Sequence, residues 1–182
     1  LKRWIAEAEG AAGFDISANG PLEALSAKAV VNAAQARLAG HSLRDIKLTL
    51  EGTADPNSPA GRVEATGLID DQPLHINADL ISENGRTSAP AINAEVGPNR
   101  FSGALNFSPD FMPEGTLNFQ FPDISLLAAL AAQQAEGDLQ GTITFSREEE
   151  RTAAKIQASG TRLTRDGVTI TLDAIPAKYE GL

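Results

Sequence analysis

The stretch Val63-Glu64-Ala65-Thr66-Gly67-Leu68-Ile69-Asp70-Asp71-Gln72-Pro73-Leu74-His75-Ile76-Asn77-Ala78-Asp79-Leu80 decides the fold. Val63, Ala65, Gly67 and Ile69 alternate with Glu64, Thr66 and Leu68, and after a turn Leu74, Ile76, Ala78 and Leu80 alternate with His75, Asn77 and Asp79. A period of two belongs to strands whose side chains point to opposite faces in turn. One apolar and one wet face mark an antiparallel sheet, because parallel strands are covered on both sides and read as unbroken apolar runs. Asp70-Asp71-Gln72-Pro73 supplies the turn between them.

The same reading extends outward in both directions. Phe14, Ile16 and Ala18 precede it, as do Ile46, Leu48 and Leu50. Ile92, Ala94 and Val96 follow, then Phe101, Gly103, Leu105 and Phe107, then Leu117, Phe119 and Phe121. The last sets are Leu139, Gly141, Ile143 and Phe145; Ala154, Ile156 and Ala158; and Val168, Ile170 and Leu172. Asn19-Gly20-Pro21, Ala39-Gly40-His41, Asn84-Gly85, Gly97-Pro98-Asn99 and Asp166-Gly167 punctuate them with residues that accept positive φ or end a ladder. Ten or more strands are expected, most of them short, with no room for crossover helices. The alanine-rich 24–39 stretch also reads as strand, with Ala27, Ala29 and Val31 set against Ser26, Lys28 and Val30.

One segment departs from the pattern. Residues 123–137 are rich in Leu and Ala, with Asp123 or Ser125 to cap and Gly137 to end, and Ile124, Leu127, Leu130 and Ala131 share one face. This predicts a helix of two to three turns. Residues 1–12 are expected to be a frayed end carrying a loosely docked Trp4.

Composition excludes several functions. The 182 residues carry 15 Lys+Arg against 24 Asp+Glu, a net charge of -9, with no basic cluster to engage phosphates, so no nucleic-acid partner is expected. Without cysteine, and with only His41 and His75, neither thiol chemistry nor an ordinary zinc site is available. Both histidines read as surface residues. No nucleophile elbow or phosphate loop occurs, so no cofactor and no enzymatic activity are expected. Arg147-Glu148-Glu149-Glu150-Arg151 reads as a solvated loop; contiguous Glu lacks the spacing of a calcium loop. Asp70-Asp71 is a turn before it is a catalytic pair. The longest apolar run, 126–132, is too short to span a bilayer as a helix.

Aromatic content is 5%, and the strand faces are built from Ala, Val, Leu and Gly. Taken alone, that composition favours a modest sandwich core over a sheet curled around an open groove.

Four phrases carry a family resemblance. They are Gly20-Pro21-Leu22-Glu23-Ala24-Leu25, the "xAGxxLxDLxL"-like run Leu38-Ala39-Gly40-His41-Ser42-Leu43-Arg44-Asp45-Ile46-Lys47-Leu48, and Gly67-Leu68-Ile69-Asp70-Asp71-Gln72-Pro73-Leu74. The fourth joins Pro122-Asp123-Ile124-Ser125-Leu126-Leu127 to Gly137-Asp138-Leu139-Gln140-Gly141. Together they resemble the TamB family of the AsmA-like superfamily, a translocation and assembly module, over roughly residues 13–172. The resemblance is one of repeat style and includes no catalytic motif.

It implies an all-β, mainly antiparallel fold: an elongated U-shaped curled β-sheet, β-taco-like, with an open apolar groove and one short helix. Residues 1–182 would be a single β-rich segment of a longer periplasm-spanning protein, anchored in the inner membrane of a diderm bacterium. Its partners would be phospholipid acyl chains, a TamA-like Omp85 outer-membrane protein reached through the full-length chain, and outer-membrane protein clients such as autotransporters. The groove would be lined by Phe14, Ile16, Ile46, Leu48, Leu50, Leu74, Ile76, Phe101, Leu105, Phe107, Leu117, Phe119, Phe121, Ile143 and Phe145. A dozen strands would give a greasy strip about 55 Å long. The expected function is phospholipid transport between the two membranes in support of outer-membrane biogenesis. The alternatives are a chaperone-like scaffold that pairs with nascent β-strands and, last, a closed small-ligand barrel.

Overall fold

The computed structural model describes residues 8–21, 25–38, 40–55, 59–83, 85–130, 133–148, 151–165 and 168–180. Alternation becomes strand nearly everywhere: β1 (Ala8–Gly10), β2 (Gly13–Asn19), β3 (Leu25–Leu38), β4 (His41–Ala54), β5 (Ala60–Ile69), β6 (Gln72–Glu83), β7 (Arg86–Val96), β8 (Asn99–Phe107) and β9 (Pro113–Phe121). After the helix α1 (Ser125–Leu130) come β10 (Leu139–Glu148), β11 (Arg151–Arg165) and β12 (Val168–Glu180). Each strand from β3 onward pairs antiparallel with the next in sequence, so the sheet is one open meander. At one edge β1 and β2 both pair with β3, end to end along it.

Among the described residues the chain is therefore all-β and antiparallel, one open sheet with one short helix, as expected. Among the described residues no second sheet packs on the first and the path does not close on itself, which rules out both the sandwich core and the barrel. No side chain among them is more than 98% buried, and the buried apolar set is small: Ala33, Ala65, Ile69, Ala89, Leu117, Phe119, Leu126 and Ala153.

Several expectations need correction. The strands are long rather than short: β3 and β4 have 14 residues each, β6 has 12 and β11 has 15. Ser, Thr, Gly and Ala extend the alternation past the large residues that signal it. Ala8–Gly10 is strand rather than frayed end, held by the pairing of Glu9 with Arg37; residues 1–7, with Trp4, lie outside the described residues. The helix spans six residues. Asp123 caps its start by accepting the Ser125 N–H (2.9 Å), but Gln133 N–H closes back on the Ala128 carbonyl (2.8 Å), so the helix stops well before Gly137. Arg147 and Glu148, expected in a solvated loop, belong to β10, and Arg151 belongs to β11, with Glu148 opposite Arg151; Glu149 and Glu150 lie outside the described residues.

Two bulges keep the apolar face continuous. Asp45, at φ 51, sits where the β4–β5 register shifts, opposite Gly67. A Cβ on Gly67 would come within 3.0 Å of both the Arg44 carbonyl and the Ile46 Cα. Only glycine admits that approach. In β7 the register shifts against β8 between Ala89 and Ile92 and against β6 between Ser88 and Ile92, around Pro90, which has no N–H to give to a ladder.

Candidate functional site

Directly opposed residues share a sheet face, so the register alone sorts the side chains. One row reads Phe14, Val31, Leu48, Ala65, Ile76, Ala94, Phe101, Phe119, Gly141, Ala158 across β2 to β11. The neighbouring row on the same face reads Ile16, Ala29, Leu50, Val63, Ala78, Ile92, Gly103, Leu117, Ile143, Ile156. Neither row contains a polar side chain over these ten strands. Nine gaps of about 4.8 Å make the strip about 43 Å long. That is shorter than a dozen strands in line would give, because β1 and β2 share one edge and the rows are followed only to β11.

All fifteen residues expected in the groove fall on this face. Ile46 joins it opposite Ala33, Leu74 opposite Gly67, Leu105 opposite Gly115, Phe107 opposite Pro113, Phe121 opposite Leu139 and Phe145 opposite Ala154. They are unequally covered. Phe14 and Ile16, on the edge strand, are 71% and 75% exposed, whereas Leu117 and Phe119 are 8% and 7%. Phe119 is covered because it lies over Gly141, where a Cβ would meet its Cζ at 2.7 Å, and it stacks on Phe121 (ring centroids 5.4 Å, 27°). Val31, Val63, Ile92 and Ile156 belong equally to the face. The sequence signal for them is present in the same alternation, but they sit among alanines and read as filler.

The opposite face is wet. Its row between the two apolar ones reads Asp15, Val30, Thr49, Glu64, Asn77, Asn93, Ser102, Asn118, Thr142, Gln157. Beside it an ion-pair ladder links Lys28 to Glu51 (2.5 Å) and Arg62 to Asp79 (2.6 Å). The Lys28 ammonium holds the Glu51 carboxyl below its usual range, and the Arg62 guanidinium does the same for Asp79. These exposed pairs fix register more than they add stability. A shallow depression of about 570 Å³ on this side is lined by Ser17, Lys28, Glu51, Arg62 and Asp79 among others.

Polar groups also tie down one rim. Asp70 and Asp71, at φ 46 and 66, form the β5–β6 turn, consistent with a turn rather than a catalytic pair. Asp70 accepts from the Ser42 N–H (2.8 Å) and pairs with His41 Nδ1 (2.5 Å), and those hydrogen bonds, that of His41 first, pull its carboxyl below the usual range. His41 is thus bound to the rim with its side chain 20% exposed, not free in a surface turn; His75 faces the wet side opposite Thr66. Asp71 pairs with Arg44. Further along, Asn99 is only 2% exposed and its Oδ1 accepts the Asp123 N–H (3.3 Å), which pins the helical connection to the start of β8.

No cluster of His, Cys, Asp or Glu suited to a metal ion occurs among the described residues, and no helix there is long and apolar enough to cross a membrane. Compared with protein-family models, curated proteins and solved structures, the chain matches none.

Proposed function

We propose that this chain is a segment of a TamB-like periplasmic bridge whose apolar face conducts phospholipid acyl chains between inner and outer membranes. The observation that carries the reading is the pair of uninterrupted apolar rows over ten strands, with no layer packed on them among the described residues. Each CH₂ taken from water is worth about 0.8 kcal/mol. Hydrophobic contact is non-directional, so a chain lying on these rows has no deep minimum to hold it in place. It can slide. The net charge of -9 discourages the outer wall from adhering to anionic headgroups. In the longer protein, an inner-membrane anchor and a TamA-like Omp85 partner would sit at the two ends.

Native mass spectrometry of the chain purified without detergent should find phospholipid bound. Leu105→Arg puts a charge on the apolar face and should remove that lipid, while Asn118→Arg, the same charge on the wet face, should leave it. Lipid-free protein, or equal loading of the two variants, would overturn the proposal. A second reading rests on the open edge at β2, where Phe14 and Ile16 stand exposed beside a strand edge that has no partner among the described residues. There a nascent β-strand of an outer-membrane client could add to the sheet. Crosslinks from β2 backbone positions to client, unaffected by Leu105→Arg, would favour it.

A further inference from the structure

We infer that the loop joining β8 to β9, residues 108–112, is a side port at which a phospholipid acyl chain enters the apolar face, with Phe111 as the side chain it meets first. The inference rests on the lipid-carrying reading of that face. Four non-glycine residues among those described have positive φ, and three are aspartates, which tolerate that region. The fourth is Phe111, at φ 60. A bulky side chain is costly there, and glycine or asparagine would turn the chain without strain.

The surrounding bonds force this conformation. Phe111 N–H donates to the Ser108 carbonyl (2.8 Å) and Ser108 N–H to the Met112 carbonyl (3.1 Å). Met112 N–H donates to Ser108 Oγ (3.1 Å), and the Ser108 hydroxyl also bonds to the Asp110 carboxylate. That last bond, ahead of Arg147, keeps the Asp110 carboxyl below its usual range. A loop so tightly bonded holds its aromatic ring outward, 56% exposed. Strain of this kind persists where the side chain is wanted in that place.

The ring is not isolated. It stands 6.4 Å from the Phe107 ring, tilted at 43°, and the register places Phe107 on the apolar face with Leu105. Phe111 therefore carries that face past the strand ends to the rim. Beside it, Asp110 and Arg147 approach within 3.7 Å, offering both signs of charge at the same rim. An apolar ring next to a charge pair has the layout of a zwitterionic phospholipid: chain over Phe111 towards Phe107, headgroup at the pair.

Tryptophan probes test this in a Trp4→Phe background. The chain carrying Phe111→Trp, and separately Phe101→Trp in the mid-strip row, would be mixed with vesicles of dibrominated phosphatidylcholine and followed by stopped-flow fluorescence. Quenching at position 111 should precede quenching at 101. Quenching at 101 that arrives first, or alone, overturns the port while leaving the strip intact. Quenching at neither position overturns the lipid-carrying reading and the port with it. Independently, Phe111→Gly should raise Tm by relieving the backbone while slowing lipid uptake several-fold, and Phe111→Leu should retain uptake. Wild-type uptake in Phe111→Gly would also sink the inference.

Discussion

At the scale of single residues, the geometry separates glycines that are required from glycines that are convenient. Gly40 has φ +84, and a Cβ added there would meet nothing within 4 Å, so Gly40→Ala pays only for the left-handed backbone, about 1 kcal/mol. Gly67→Ala adds a steric term, because the Arg44 carbonyl and Ile46 Cα both lie 3.0 Å from the new methyl and are backbone atoms that cannot swing aside. Its cost should reach about 2–3 kcal/mol. Urea titrations of the two variants would check the order; equal losses would mean that the Asp45 bulge is not rigid. The same scale shows where sequence reading stops. Glycine and aspartate in "turn" phrases are visible in the sequence, but the bulge that sets Asp45 against Gly67 is not, since a bulge is set by a neighbouring strand. Phe111 reads as one more residue between two strands, because a positive φ in a bulky residue leaves no trace in the sequence.

At the scale of elements, position in the sheet decides what an apolar residue does. Phe14 on β2 is mostly in water, so Phe14→Ala should change stability by less than about 0.5 kcal/mol. Leu117 on β9 has strands on both sides and neighbours Ile143 and Gly103 in register, so Leu117→Ala should cost about 2–3 kcal/mol. Thermal denaturation of both variants distinguishes a graded face from a uniform core, in which the two losses would be alike. Which residues share the face is legible from alternation alone, because the period of two is fixed by backbone geometry. Strand ends are not. Residues 32–36 of β3 and 159–161 of β11 carry the ladder on small and polar side chains that break the large-residue alternation. The helix is readable in place but not in length: what stops it is the Gln133–Ala128 bond and the attachment of the connection to β11 through Glu136 and Thr164, contacts far apart in sequence.

At the scale of the whole molecule, the accessible area is 12302 Å², against about 8400 Å² expected for a compact monomer of the same mass. The excess is the sheet's uncovered surface. The unfolded chain would expose about 28000 Å². Folding therefore buries only about four-fifths of the area that a compact protein of this size would bury. Denaturant sensitivity follows that area, so the urea m-value should be about four-fifths of the value for a globular chain of equal length. Small-angle scattering should give a radius of gyration above the compact value of about 16 Å. The two measurements are informative together. An open monomeric sheet lowers m and enlarges the radius at once. A sheet that hides its apolar face against a second copy also enlarges the radius, but it restores m and makes the midpoint depend on protein concentration. A sheet folded shut on itself restores m and shrinks the radius. Adding a short-chain phospholipid to the open monomer should raise Tm in proportion to the logarithm of its concentration above Kd, because the ligand binds the folded strip and not the unfolded chain; a Tm indifferent to lipid would leave the strip without an occupant.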